Sequence, residues 1–479
     1  MSRRCFLATA AAATAATTAG AASRKAKPDA GPLAEYVDLA ALRPHPSVRM
    51  TSVIIRRPPP YWLGWPGTSY DLEAHKKHYA TEFDAAAKRA GIELTQLDPP
   101  LENEAAVDGF VARIAQEKPH GVIVHLQHLD VWGWAEKVAS AGVPLVIFAP
   151  IGTAFTGHVL KTSRKPGIHA ISSMEVAPVE QAMRMVRARQ QLASSKLLVV
   201  RGEERKEEPL ETLGTQVKTV PRNAMHELFE KMPVTDEVHD VGKAMRKHAV
   251  KVVEPSVQDC LNSARSFTTA KRLLKDEGCN ALTTDCLGMV TTRAVPTPPC
   301  MAATMFQDAG VTYGCEADVL GAVSLMFTSY LLDRPGFMND PVPETYKNLL
   351  IAAHCTSGTL LNGFGQRPEP YVLRSHSESG IGVSTQVLWK EGQPVTLIRF
   401  TKPNELIVDT GTVVANVDTP PAGGCRTNFE IAMDRIDDVR DVAGFHQVVS
   451  YGDHRRTVEA YCQLYGIKAT SSPEHAPSA

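Results

Sequence analysis

The sequence predicts an α/β protein, with two Rossmann-like α/β domains followed by a β-rich, barrel-like carboxy-terminal domain. Three observations carry this prediction. Apolar strand-length runs alternate with amphipathic helical stretches between residues 51 and 149. The alternation restarts at 195–202. From about 345 onward, short β-rich runs follow one another between Gly, Pro and Asn turns, the pattern of a barrel or sandwich. A chain of 479 residues is also too long for one hydrophobic core.

In the first domain, "TSVII", "IELTQL", "GVIVHL" and "PLVIFA" read as strands, with helices over "EAHKKHYATEFDAAAKRAG", "EAAVDGFVARIAQEK" and near 131–141. No G-x-G-x-x-G follows any of these strands, so nothing supports a dinucleotide site. The second domain runs from "SKLLVVRG" through helical stretches to "ALTTD", the helix "PPCMAATMFQDAG" and the short strand "VTYGC". The third contains "VSTQVLW", "QPVTLIRF", "NELIVDTGTVVAN" and "TNFEIAM", and ends in the helix "HRRTVEAYCQLYG". The expected divisions are 1–30 for a leader and linker, 31–194, 195–343, 344–467, and a disordered tail at 468–479.

Apolar content of 43%, charged content of 22% and a net charge of −1 are those of an ordinary globular protein. They exclude a basic nucleic-acid footprint or a polybasic membrane patch and point to a small-molecule or carbohydrate partner. No segment after the leader approaches the length of a membrane span. Arg3-Arg4 followed by Phe6-Leu7, a mild Ala-rich stretch and Ala19-Gly-Ala21 have the form of a twin-arginine signal. The export machinery is therefore an expected partner, and the mature protein is expected in the periplasm or otherwise outside the cytoplasm. Beyond Cys5, the cysteines Cys260, Cys279, Cys286, Cys300, Cys315, Cys355, Cys425 and Cys462 stand singly in apolar contexts. That is the usage of buried reduced thiols rather than of a disulfide scaffold.

The chemistry centres on "YGCEADVLGA", where Glu316 and Asp318 precede an apolar helix, "VLGAVSLMFTSYLL". An ionised carboxylate beside buried structure requires a cation, a pKa shift or a metal. Asp340 follows in the loop "DRPGFMNDP", His354 closes the run "IAAHCT", and His446 lies in "VAGFHQVVSYGDH". Taken singly, each reads as a cap, a solvated acid or a satisfied core histidine. Together, two carboxylates and two histidines at element boundaries form an O/O/N/N set that suits Mn²⁺, Mg²⁺, Co²⁺ or Zn²⁺. Asp318 reads as a capping or supporting acid.

The stretches "PPCMAATMFQDAGVTYGCEADVLGAV", "DRPGFMNDP", "AHCT", "SHSESGIGVSTQVLWKEGQPVTLIRF", "CRTNFEIAM" and "GFHQVVSYGDH" resemble the L-fucose isomerase and L-arabinose isomerase superfamily over about 280–465. The resemblance implies Mn²⁺ held by Glu316, Asp340 and His446, with His354 taking part as in the arabinose branch. It also implies aldose–ketose isomerisation through an enediol, with Glu316 and Asp340 moving the proton, and a homo-oligomer. His376, Arg374 and Arg426 are candidate polar contacts to a sugar, and Trp132 and Trp134 after "GVIVHL" are candidate stacking partners. Two alternatives remain open at this point: an exported sugar-binding protein, and a different metal-dependent reaction on a modified sugar.

Overall fold

The computed structural model describes residues 32–60, 65–420 and 424–475; the expected twin-arginine leader and the last four residues lie outside the described residues. The first α/β unit holds β1 (Arg49–Ile55), β2 (Glu93–Gln96), β3 (Gly121–Leu126), β4 (Leu145–Ala149) and β5 (Ile168–Ser172) in one parallel sheet of order β2-β1-β3-β4-β5. β3 and β4 are buried at every residue, as interior strands covered on both faces must be, and this explains their continuous apolar sequence. The helix Leu72–Ala90 starts where the Asp71 side chain accepts from Ala74 N (2.9 Å) and stops at Gly91, whose φ of 69° is left-handed.

The second unit contains β6 (Lys196–Val200), β7 (Lys206–Leu210) and β8 (Thr215–Val220), then, past β9 (Lys251–Val252), β10 (Ala281–Thr284) and β11 (Tyr313–Gly314). Its sheet runs β11-β10-β6-β8-β7, parallel except for β7. The helix Val319–Leu332 leaves the carboxyl side of β11 and is buried from Gly321 to Leu332. It is apolar all round because it is covered all round, by this sheet, by the helix Ala177–Ala193 and by the carboxy-terminal strands.

The remaining strands are β12 (Phe337–Glu344), β13 (Leu349–His354), β14 (Tyr371–Arg374), β15 (Ser384–Val387), β16 (Pro394–Lys402), β17 (Glu405–Asn416), β18 (Thr427–Met433), β19 (Gln447–Tyr451) and β20 (Lys468–Thr470). Six of them close into a barrel in the order β16-β19-β12-β13-β18-β17, with β17 pairing back to β16. The closed barrel accords with the expected barrel-like architecture. Two details differ from expectation. The barrel begins at Phe337, so Asp340 is a strand residue rather than a loop residue. Residues 468–475, expected in a disordered tail, form β20 along the edge of β17 and a short 3₁₀ turn, where Ser472 N donates to the buried Asp409 carboxylate (3.0 Å). β14 and β15 form a small sheet with β9, so the chain segments of the second unit and the barrel interlock.

Within the barrel wall, Gly411 pairs with Val395 on one side and Met433 on the other. A Cβ there would meet the Ala432 carbonyl oxygen at 2.6 Å, which no side-chain motion relieves. Gly411→Val is therefore expected to lower unfolding stability by about 1–3 kcal/mol in a denaturant titration; an unchanged midpoint would mean that the wall opens freely at this point.

Candidate metal centre

The barrel register brings the candidate residues to one end. Asp340 pairs with Ala353, the residue before His354, and Asn339 pairs with Gln447, the residue after His446. Glu316 arrives from the other direction, in the turn between β11 and the buried helix. One ligand atom from each of Glu316, Asp340, His354 and His446 lies within 4.8 Å of the other three. His446 Nε2 is 3.2 Å from Asp340 Oδ1 and 3.3 Å from Glu316 Oε2, and His354 Nε2 is 3.9 Å from Glu316 Oε1. Both histidines are buried, whereas the two carboxylates are part-exposed.

Two of the four hold unusual backbone. Glu316 has φ 57° and His446 has φ 53°, both left-handed, as is Ala317 at 51°. Such positions cost about 1–3 kcal/mol for a residue other than glycine and persist where the surroundings enforce them. Here Ala317 N donates to the Thr284 carbonyl (2.9 Å) and Asp318 N to the Cys315 carbonyl (3.2 Å).

Asp318 organises the site from behind. Its carboxylate accepts from Gly321 N (2.9 Å), from Arg399 Nη1 (2.7 Å) and from His446 Nδ1–H (2.9 Å). Burial alone would raise its pKa, but His446, Arg399 and the helix amide hold it well below the usual carboxylate range. Burial likewise acts to lower the His446 pKa, and the carboxylates of Asp318, Asp340 and Glu316 outweigh that and push it up to about 10. Three carboxylates around one imidazole thus set a strong demand for positive charge at this point.

The two histidines differ in tautomer. His446 donates Nδ1–H to Asp318, which leaves the Nε2 lone pair facing Glu316 and Asp340. His354 Nδ1 instead accepts the Cys355 backbone N–H (2.9 Å), so in its neutral form the proton sits on Nε2. His354 Nε2 is buried without a hydrogen-bond partner, and His446 Nε2 and Asp340 Oδ1 are buried and approach each other at 3.2 Å. Buried polar atoms converging on one point, with an O/O/N donor set, fit a divalent cation.

The other expected contacts go elsewhere. Trp132 is buried in the first α/β unit, donates its indole N–H to the Thr153 carbonyl (2.8 Å) and stacks on His158. Trp134 carries the Arg57 guanidinium over its ring at 4.5 Å. Arg426 is spent on the Ser375 and Thr419 carbonyls (2.7 and 3.0 Å), and Arg374 on Glu254 (2.8 Å). His376 is buried beside Cys300 and Cys355. Arg399 escaped the sequence reading; its signal is a lone cation inside the apolar strand "VTLIRF".

No known family model matches the chain. Among curated proteins, a sulfoquinovose isomerase from Clostridium sp. (strain MSTE9) is 26% identical over 274 residues, 51% of this chain and 59% of that protein. The chain thus matches only about three-fifths of that relative's length. Among solved structures, the XylFII molecule aligns with 57% of this chain and 97% of its own (9% identity, TM-score 0.18). A sugar ABC transporter from Yersinia enterocolitica subsp. enterocolitica 8081 aligns with 63% of this chain and 82% of its own (12% identity, TM-score 0.19). Likenesses of that size carry no argument about this chain.

Because Asp318 fixes the His446 tautomer, Asp318→Asn is expected to weaken divalent-cation binding about 10–100-fold, read by titration calorimetry. An affinity equal to wild type would show that the barrel alone orients the ring.

Proposed function

We propose that this chain is a metal-dependent sugar isomerase that interconverts an aldose and a ketose through an enediol. The observation that carries the proposal is the convergence of Glu316, Asp340 and His446 on one point, with His446 turned by Asp318 to offer its lone pair. The likeness to a sulfoquinovose isomerase supports the same reaction class. Glu316, Asp340 and His446 would hold the cation, for which Mn²⁺ suits the O/O/N set. Once bound, it would supply Lewis-acid polarisation across two adjacent sugar oxygens.

The chain's own groups do the proton work. One carboxylate of the Glu316–Asp340 pair removes the proton from C2 of the open-chain aldose, and the C2–H electrons form the enediol double bond as the C1 carbonyl oxygen takes a proton. Return of a proton to C1, with loss of the O2 hydroxyl proton, leaves the ketose at unchanged composition. The part-exposed carboxylates can be reached by substrate, whereas both imidazoles are walled in. His354, with its neutral-form proton on Nε2, faces the Glu316 carboxylate at 3.9 Å and would hold that group in place for proton transfer.

A pure sugar-binding protein has no use for two carboxylates poised against one cation, and this favours turnover over the binding alternative. We also infer export by the twin-arginine route; retention in the cytoplasm of a variant with Arg3→Lys and Arg4→Lys is the test, and unchanged export would refute that route.

Metal analysis of wild type beside Glu316→Gln and Asp340→Asn, followed by a screen of free aldoses and sulfoquinovose with added Mn²⁺ for ketose formation, decides the function. The expected outcome is bound metal and ketose in wild type, with both lost in either variant; metal without turnover on any sugar would move the site to another reaction. A further contrast is expected between the histidines: His446→Gln loses metal, whereas His354→Gln keeps it and loses turnover. Equal metal loss in both would place His354 among the ligands.

A further inference from the structure

Behind the carboxylate–histidine cluster lies a second convergence, made of different chemistry. Cys300 opens the helix Cys300–Asp308, Cys355 follows His354 at the end of β13, and His376 stands in the turn after β14. Their two sulfurs and an imidazole nitrogen all lie within 4.8 Å of one another. All three residues are buried, at 5%, 3% and 7% exposure. Cys425, immediately ahead of β18, also comes up to the Cys355 sulfur.

One buried thiol is an inert small hydrophobe and needs no explanation. Two thiols and a buried imidazole aimed at a single point are a different matter, because the ring has to be held there at a desolvation cost. His376 Nδ1 lies 3.0 Å from Ser379 Oγ and 3.3 Å from Ser379 N, which leaves Nε2 for the sulfurs. The Ser379 hydroxyl can accept as well as donate. With the proton on Nδ1 donated to that oxygen, the Nε2 lone pair is free. His354 has no such choice, since its Nδ1 meets only a backbone N–H.

We propose that Cys300, Cys355 and His376 form a second metal site, specific for Zn²⁺ and separate from the carboxylate–histidine centre. A thiolate/thiolate/imidazole set is that of structural zinc sites and is a poor match for Mn²⁺ or Mg²⁺. Around a tetrahedral Zn²⁺ with Zn–S about 2.3 Å and Zn–N about 2.0–2.1 Å, donor atoms stand roughly 3.5–3.8 Å apart. The observed cluster closes to that spacing with side-chain shifts on the order of an ångström. Binding releases one proton from each thiol that coordinates. The bound ion would join the helix Cys300–Asp308, the end of β13 and the turn after β14. The proposal does not depend on the isomerase reading.

Cobalt substitution tests it on the full-length, reduced protein. Thiolate-to-Co²⁺ charge transfer absorbs in the near ultraviolet, whereas a site built only from oxygen and nitrogen gives no such band. The expected result is a band that saturates at one equivalent in wild type and in Glu316→Gln, is bleached by Zn²⁺, and is absent in Cys300→Ser. Should Cys300→Ser not fold, judged by circular dichroism, alkylation of native wild type decides: Zn²⁺ is expected to protect Cys300 and Cys355, mapped by peptide mass spectrometry. No charge-transfer band in reduced wild type, a band that survives Cys300→Ser, or equal alkylation with and without Zn²⁺ would each overturn the proposal.

Discussion

The structure around the candidate centre depends on a single side chain, Asp318. It stands at the N-terminus of a helix buried from Gly321 to Leu332, between the second sheet and the barrel. From there it takes three donors of different origin: the Gly321 amide of its own helix, the Arg399 guanidinium of β16 and the His446 ring ahead of β19. A half-buried carboxylate with fewer partners would be a net cost, and here each partner meets a need of its own. The helix terminus gains an acceptor, the cation inside an apolar strand gains its counter-charge, and the imidazole gains a defined tautomer. Helix position, barrel position and ligand orientation are therefore coupled through one group.

The left-handed residues on either side of this junction follow from the same demand. The chain leaving β11 turns through left-handed Glu316 and Ala317 before the buried helix that begins three residues after Glu316. Glycine would relieve the strain but supply no carboxylate. At His446, the same conformation sets the ring between Asp318 on one nitrogen and Glu316 and Asp340 on the other. The strain is offset by charge-assisted hydrogen bonds that exist only in this arrangement.

Much of the α/β layout was legible because interior parallel strands are written as unbroken apolar runs, of which "GVIVHL" is the plainest. β12 was not, since "FMNDPVPE" carries two prolines and reads as a loop. It survives as a strand because β19 pairs only with Phe337–Asn339, so Pro341 and Pro343 pair with β13 alone and need no donor on the side β19 has left. The tail was misread for a related reason: three residues of β20 have no pattern of their own and are ordered by the edge of β17. Glu316, Asp340, His354 and His446 could be picked out as polar groups at the boundaries of apolar elements. Their tautomers could not, because those depend on what each second nitrogen touches after folding. The thiol cluster left no trace in spacing, since Cys300, Cys355 and His376 meet only once the barrel closes against the helix Cys300–Asp308.

The two clusters sort by hardness while sharing the chain that builds them. Cys355 follows His354 directly, so these neighbouring residues at the end of β13 contribute to different clusters. At the end of a strand this separation comes from the pleat, which sends successive side chains to opposite faces. Oxygen donors are thereby collected on the side that stays part-exposed, and sulfur donors on the side that is closed off. A hard cation that must meet a hydroxylated substrate belongs on the first side, and a soft ion that meets only protein belongs on the second. The Cys355 backbone amide fixes the His354 tautomer while its sulfur faces the thiol cluster, so anything that holds this residue still also fixes where the His354 proton points. The order of the sulfur side and the proton inventory of the oxygen side are then one mechanical property of the end of β13.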